Sequence, residues 1–498
     1  MKVLMVNSNL NKLPIPTIPF GLCFVSASLE KAGHSVKVLD LTFSTNTIKD
    51  IENTINDFSP GIIGISIRNI DAVSRINSFF YLDPVKDKVI EPIKKVFPGP
   101  IVIGRTAVGI GGAEMLHFFD LEYAIIGDGE EAMVEFINRV TKNLPMHGCP
   151  GLTWRKNGQI IEENPPLRVS DLNALPSANP QRYIDLKAYR RFNAPIQVQT
   201  KRGCALECTY CTYRLIEGAH YRLRDPELIA NEIETVVKES GIHHFEFSDS
   251  TFNLPLDHSK AILKAIINRN LKLDLRTMGL NPKAIDEEYV DLLAKAGFKD
   301  VEVGVEAGND LILKALGKNF TKQDILRAGE LLHRIGIPVK WYLIAGAPGE
   351  TIETLTETFQ TITGVIGVWD LVVVFNSIRA YKGSIISRQM TEQNSACTTD
   401  NFLHPVFYEP QGISLDDIRI FNKRMGLLHP NLIFPEERQR VPDIILNIQN
   451  TLMRLFAPNK PWYMFHIFMH KVQKKLGINF IRRKILEFKN PHIFRKKG

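Results

Sequence analysis

Cys204, Cys208 and Cys211 lie within eight residues, spaced C-x-x-x-C-x-x-C in Lys201-Arg202-Gly203-Cys204-Ala205-Leu206-Glu207-Cys208-Thr209-Tyr210-Cys211. They are half of the chain's six cysteines. An apolar alternation, Ile196, Val198 and Thr200, precedes them and predicts a strand feeding a tight loop. Such a loop can aim three thiolates at one point. Three thiolates suit a soft metal and can hold three corners of a four-iron, four-sulfur cluster. The fourth iron is then left without a protein ligand, and an open position separates catalytic metal sites from closed structural ones. A structural zinc site would need a fourth Cys or His nearby; the nearest histidine is His220, nine residues on, and no second cysteine pair follows. A disulfide framework sits poorly with three clustered thiols in a long chain of low cysteine content.

The elements that must position this loop alternate. Strands are expected at 196–200, 244–248, 272–277, 300–305, 339–345 and 371–378. Helices are expected between them at 226–240, 259–268, 287–296, 310–316, 321–335 and 351–366. Six strand–helix units make a partial TIM-type (β/α)6 barrel with chemistry at the carboxyl ends of the strands. Those ends carry Ser248-Asp249-Ser250, Arg276, Gly304-Val305-Glu306 and Gly346-Ala347-Pro348-Gly349-Glu350-Thr351. As plain alternatives, Ser248–Ser250 reads as a helix cap and Arg276 as a surface arginine.

Residues 1–140 read as a separate α/β unit, a doubly wound parallel sheet with short apolar strands between helices. Its strand ends carry Asn7-Ser8-Asn9, Ser66-Ile67-Arg68-Asn69, Gly104-Arg105-Thr106 and Gly127-Asp128-Gly129-Glu130, polar and glycine-rich. Ligands of such sheets sit there, although glycines also simply make turns. Residues 141–194 read as a connector: a hairpin around Asn157-Gly158, then a proline-punctuated linker. The barrel core spans 195–390, and 391–498 is a mostly helical C-terminal region. Cys23 and Cys149 read as buried apolar residues.

At 498 residues the chain needs several domains. The formal charge of +7 belongs to the end of the chain, where the last 48 residues hold twelve Lys/Arg against one Glu, leaving about −4 for the rest. That basic, aromatic-rich stretch reads as a solvated helical cap or as a peripheral membrane contact; no motif there speaks for nucleic acid. No signal peptide or spanning helix is expected, and low cysteine content suits the cytoplasm.

The cysteine spacing, with Tyr210 just before the third cysteine, resembles the signature of the radical SAM superfamily. The resemblance extends to Gly304-Val305-Glu306-Ala307-Gly308 and to the Gly346–Thr351 turn. It implies that Cys204, Cys208 and Cys211 hold a [4Fe-4S] cluster whose free iron binds S-adenosyl-L-methionine, cleaved reductively to a 5′-deoxyadenosyl radical. Tyr210, Ser248, Asp249, Arg276, Glu306 and Gly346 are then the implied S-adenosylmethionine contacts. Pro19-Phe20-Gly21-Leu22, Gly33-His34-Ser35-Val36 and Gly127-Asp128-Gly129-Glu130-Glu131 resemble the N-terminal cobalamin (B12)-binding domain of one branch of that family. The implied cobalamin contacts are Ser66, Arg68, Gly104, Gly127, Gly129 and Glu130.

The chain departs from the pattern at Arg105, where the branch has a second glycine, at Ser250, and at Lys382 and Ser384. It also lacks a D-x-H-x-x-G sequence. The resemblance implies methylation of an unactivated carbon through methylcobalamin. The same radical step without methyl transfer would give a rearrangement, dehydration or cyclisation. A non-catalytic electron-transfer or sensing protein is the reading of another class, and the strand ends at 304–309 and 346–351 count against it. The expected partners are a small-molecule or lipid-like substrate and an external electron donor such as flavodoxin or ferredoxin. Cys397 reads as a bystander thiol or a hydrogen donor, and Phe402, His404, Phe407 and Tyr408 as walls of a substrate cavity.

Overall fold

A computed structural model describes residues 1–12, 15–393, 402–429 and 431–437, with 484, 486 and 489. Cys397 and nearly all of the basic tail lie outside the described residues. Two compact units emerge: the first comprises Met1–Ala72, Phe79–Leu275 and Ala380–Val406, the second Val73–Ser78, Arg276–Arg379 and the described residues from Phe407 onward. One dividing line runs between Leu275 and Arg276, inside the expected barrel. The expected connector belongs with the sheet because its hairpin hydrogen-bonds into it.

In the first unit, strands β1 (Lys2–Asn7), β2 (Ser35–Asp40), β3 (Ile62–Ser66), β4 (Ile101–Gly104) and β5 (Tyr123–Ile125) lie in the order β2-β1-β3-β4-β5 and run parallel. The hairpin strands β6 (Leu152–Lys156) and β7 (Gln159–Glu163) extend this sheet antiparallel. Successive side chains point to opposite faces. Leu4, Val6, Ile63, Ile65 and Ile103 therefore pack with Ile51, Ile55, Val89, Ile93, Met115 and Phe119 of helices on one side. Val3, Met5, Ile62, Val102 and Ile125 pack on the other side with Leu22, Leu29, Met133, Phe136 and Ile137. The sheet is doubly wound, and its order reverses between β1 and β3. Ligands of this topology bind at that switch point, outside the carboxyl ends of the strands.

Also in the first unit are β8 (Ile196–Val198), β9 (Lys201–Arg202), β10 (Arg222–Leu223) and β11 (His244–Phe247), with β12 (Asp274–Thr277) at its boundary. β11 pairs parallel with β8, in the sheet order β12-β11-β8. The helix Pro226–Ser240 is bounded as its sequence dictates. Asp225 accepts from Glu227 and Leu228 N–H, Pro226 opens the helix, and Gly241 ends it at φ +64°.

The second unit holds a parallel sheet, β13 (Val301–Glu306), β14 (Val339–Ile344), β15 (Leu371–Phe375) and β16 (Leu432–Ile433), the last added beyond the expected strands. Its helices include Glu287–Ala296, Lys322–Arg334 and Ile352–Val365. Among the described residues no helix is long and apolar enough to cross a membrane.

Candidate functional site

The cysteine loop starts from β9, which pairs antiparallel with β10. Gly203 turns the chain at φ +92°, and a Cβ there would lie 2.0 Å from the His220 carbonyl oxygen. Only glycine fits. Gly203 N–H donates to Glu217 Oε2 (3.1 Å), Cys204 N–H to Gly218 O (3.0 Å) and Cys211 N–H to Cys208 O (3.1 Å). Cys204 is buried, Cys208 and Cys211 are half-buried, and none is in a disulfide.

The loop suits a cluster. One hydroxyl within it, Thr209 Oγ1, is buried without a hydrogen-bond partner among the described residues, and such a group calls for an acceptor; the Tyr221 phenol lies against Cys204. Burial, then the nearby Cys204, pushes the Tyr221 phenol up to about 12. Among the described residues no three His, Cys, Asp or Glu side chains gather around a single-ion position. Thiolates of a cluster bind different irons and need no such convergence.

Asp249 is held within the protein. Its Oδ1 accepts from Thr200 N–H (2.8 Å) and Lys201 N–H (3.3 Å), its Oδ2 from Thr200 Oγ1 (2.6 Å), and Lys201 Nζ stands 3.6 Å away. The side chain is fully buried. It ties the end of β11 to the strand that leads into the cysteines. Ser248 Oγ donates to Val198 O at 3.3 Å. The helix-cap alternative does not hold either, because the next helix starts at Leu256 after Pro255. Tyr210 is half-buried in the loop.

The expected cobalamin residues divide into two groups. At the ends of β1, β3 and β4, Ser8 N–H and Oγ both donate to Ser66 O (3.3 and 2.8 Å), and Arg105 Nη1 reaches Ser66 Oγ at 3.4 Å. Arg105 holds φ +86° and ψ −171°, a backbone region that belongs to glycine. Burial, then Arg68 beside it, pulls the Arg105 guanidinium down to about 10, still charged at neutral pH. Burial lowers Arg68 as well. Among the described residues neither guanidinium forms an ion pair. A Cβ on Gly104 would meet only Ile125 O, at 3.6 Å. Cations without carboxylates, hydroxyls and open space at the switch point fit a large polar cofactor carrying a phosphodiester and amides.

At the end of β5 the residues are spent on the protein. A Cβ on Gly127 would strike Leu167 O at 2.3 Å, and one on Gly129 would stand 3.0 Å from Val25 Cγ2. Glu130 makes a two-pronged pair with Arg202, Nη1–Oε2 3.1 Å and Nη2–Oε1 2.5 Å. Asp128 stands 3.3 Å from Arg202 and also binds Arg222 and Val169 N–H (2.8 Å). Gly127 and Gly129 thus pack closely against neighbouring segments, and Glu130 is ion-paired. Against the cost of burial, Glu130 and Asp128 hold Arg202 above its ordinary value. Burial alone would raise Asp128, but Arg202 and Arg222 outweigh it and hold the carboxyl low. Arg202 and Arg222 were not singled out in the sequence; the only signal was their adjacency to the cysteine loop.

The cysteine loop thus stands at the carboxyl edge of the sheet within one unit. The helix Tyr213–Glu217, directly after Cys211, packs on the helix Thr106–Gly111 that follows β4; a Cβ on Gly109 would lie 3.8 Å from Ile216 Cγ2. Tyr213 is within electrostatic reach of both Arg68 and Cys211. Lys382 pairs with Glu114 at 2.6 Å, and His404 stacks on Phe80 with ring centroids 4.8 Å apart. Leu403 joins the sheet's own core. Cys23 and Cys149 are fully buried as expected, and burial pushes their thiols up to about 12 and about 11.

In the second unit Glu306 sits in a strand irregularity at φ +59°, a strained setting for a side-chain-bearing residue. Its Oε1 accepts from the buried Lys318 (2.7 Å), which also donates to Gly304 O (3.3 Å). Periodicity could not have found the pairing of Lys318 with Glu306. Gly346, at φ +93°, donates its N–H to Glu350, and Ala347 N–H does the same at 3.1 Å. Glu350 Oε1 is buried without a partner among the described residues, and burial pushes the carboxyl up to about 7. Arg276 Nε stands 3.2 Å from Asp300, which Lys340 also holds at 3.0 Å.

Residues 198–362 match the radical SAM superfamily and residues 8–137 the B12 binding domain. The chain is 25% identical over 415 residues to a tryptophan 2-C-methyltransferase of Streptomyces laurentii, covering 70% of this chain and 68% of that one. It is 27% identical over 353 residues to an anaerobic magnesium-protoporphyrin IX monomethyl ester cyclase of Rubrivivax gelatinosus, covering 66% and 59%. Among solved structures it resembles the radical S-adenosylmethionine methyltransferase TsrM of Kitasatospora setae, solved with cobalamin and a [4Fe-4S] cluster. That likeness has a TM-score of 0.72 at 25% identity and covers 79% of this chain and 75% of that one.

Proposed function

We propose a reaction for this chain, which belongs to the radical SAM superfamily and carries a B12-binding domain ahead of the radical SAM domain: methylation of an unactivated carbon of a small molecule. The observation that carries it is the anchoring of the cysteine loop to the carboxyl edge of the sheet, through the Tyr213–Glu217 helix and the Arg202–Glu130 pair. That supports reading the cluster loop and the cobalamin-facing strand ends as neighbours in one unit. When bound, the cluster with S-adenosylmethionine supplies the 5′-deoxyadenosyl radical, and cobalamin supplies the methyl carrier.

The chain's own residues do the rest. Cys204, Cys208 and Cys211 would hold the cluster, with the Thr209 hydroxyl in the same loop and the Tyr221 phenol beside Cys204. Ser66, Arg68 and Arg105 would face the cobalamin, their charges suited to its phosphodiester. Lys318 fixes Glu306, leaving that strand end shaped for the ammonium or ribose of S-adenosylmethionine. Glu350 locks the Gly346–Thr351 turn against the backbone, which suits close approach of an adenine. An external low-potential donor such as flavodoxin or ferredoxin would supply electrons.

Methyl-labelled S-adenosylmethionine tests this. With reductant and hydroxocobalamin, the reconstituted chain should release S-adenosylhomocysteine and carry the label on its bound cobalamin. 5′-Deoxyadenosine without methyl label on cobalamin would favour a second reading, cyclisation or rearrangement by the same radical. The likeness to the magnesium-protoporphyrin cyclase supports that alternative.

A further inference from the structure

The end of β5 and the start of the cysteine loop are joined by a buried charge cluster, and the two-residue strand β9 cannot fix the loop alone, since short strand pairs are marginal. Arg202 lies two residues before Cys204. Its guanidinium meets Glu130, in the first turn of the Gly129–Thr141 helix, with two parallel bonds. That fork-on-fork geometry defines both distance and orientation. Asp128 adds a second carboxylate at 3.3 Å and passes the tie on to Arg222, whose Nη2 donates to Glu217 O at 2.9 Å. Glu217 in turn accepts the Gly203 N–H. The side chains of Arg202, Glu130 and Asp128 are 8%, 3% and 6% exposed. Buried ion pairs are weak devices for stability but good ones for register.

We propose that Glu130 is a positioning residue for the iron–sulfur cluster: acting through Arg202, it fixes where the cysteine loop stands on the sheet and sets the charge beside it. The proposal rests on the radical SAM reading of the three cysteines. Arg202 and Glu130 touch no expected reacting atom, so their influence is geometric and electrostatic.

The test uses the full-length chain with its cluster reconstituted without oxygen. It reads iron per chain, the electron paramagnetic resonance signal of the reduced cluster, and its midpoint potential. Glu130→Gln keeps the shape and removes an anion, so the potential moves up, because the reduced cluster carries more negative charge. Arg202→Gln removes the cation and moves it down. A general loosening would not give opposite signs. Shifts of one sign in both variants, or a potential and signal unchanged from wild type, overturn the proposal. Where Glu130→Gln loads no iron, Glu130→Asp decides: recovery of loading with the carboxylate supports the proposal, and failure to recover overturns it. A wild-type chain that loads no cluster brings down the radical SAM reading itself, and this inference with it.

Discussion

The carboxyl edge of the N-terminal sheet has two parts with similar residue types and opposite fates. At its centre, behind β3 and β4, Arg68 and Arg105 stand without carboxylate partners among the described residues, and Gly104 leaves open space. At its flank, behind β5, Asp128 and Glu130 are fully engaged with Arg202 and Arg222, and Gly127 is a glycine because Leu167 crosses it. The centre keeps charge and open space; the charges of the flank are engaged with arginines beside the cysteine loop. Polar strand ends are therefore not interchangeable signs of a binding site, and the inventory of partners separates them.

The largest effect should come from the loop held by the flank. Gly203→Ala puts a Cβ 2.0 Å from a backbone oxygen at φ +92°, and iron content after reconstitution should fall to that of Cys204→Ala. Near-normal iron would mean that the loop is not fixed where it stands.

Glu350 is a spent carboxylate whose charge is costly. Its folded-state pKa, about 7, lies above the ordinary 4.5. The folded state therefore binds the proton more tightly, and stability falls as pH rises from about 4.5 to about 7. Two and a half units correspond to roughly 3 kcal/mol. Chemical denaturation across that range should show the decline in wild type and not in Glu350→Gln.

Arg105 tests the unspent centre. Arg105→Gly relieves a backbone strain of about 1–3 kcal/mol and should raise the melting temperature of the cofactor-free chain. A lower melting temperature would mean that the guanidinium is structural after all. His333 should give the smallest effect. The hydrogen bond to Asp370 raises its pKa above the ordinary value. Its contribution is full below about 6.5 and is lost as pH rises through the raised value. His333→Gln should flatten that slope in thermal melts.

Much of the fold was legible because apolar periodicity and terminal signals agree. The helices 226–240 and 287–296 begin after an aspartate cap and end at a glycine, and all six barrel strands lie where the alternation placed them. The cysteine loop was legible for the same reason, since spacing carries its chemistry. What the sequence could not give was commitment. Asp249 and Arg276 sit at strand ends as expected, but only coordinates reveal that Thr200 and Asp300 already hold them. Lys318 and Arg202 escaped notice because nothing local distinguishes a buried cation from a solvated one. The hairpin at 152–163 was expected, but its joining to the sheet depends on a pairing that no local pattern encodes.

One measurement bears most directly on the central claim. The chain, purified without oxygen and reconstituted, is given S-adenosylmethionine, hydroxocobalamin and a low-potential reductant, beside a Cys204→Ala control. The account predicts about four irons per chain, retained cobalamin, and 5′-deoxyadenosine well above the control. A chain that holds its iron but yields no more 5′-deoxyadenosine than Cys204→Ala, and keeps no cobalamin, would contradict it.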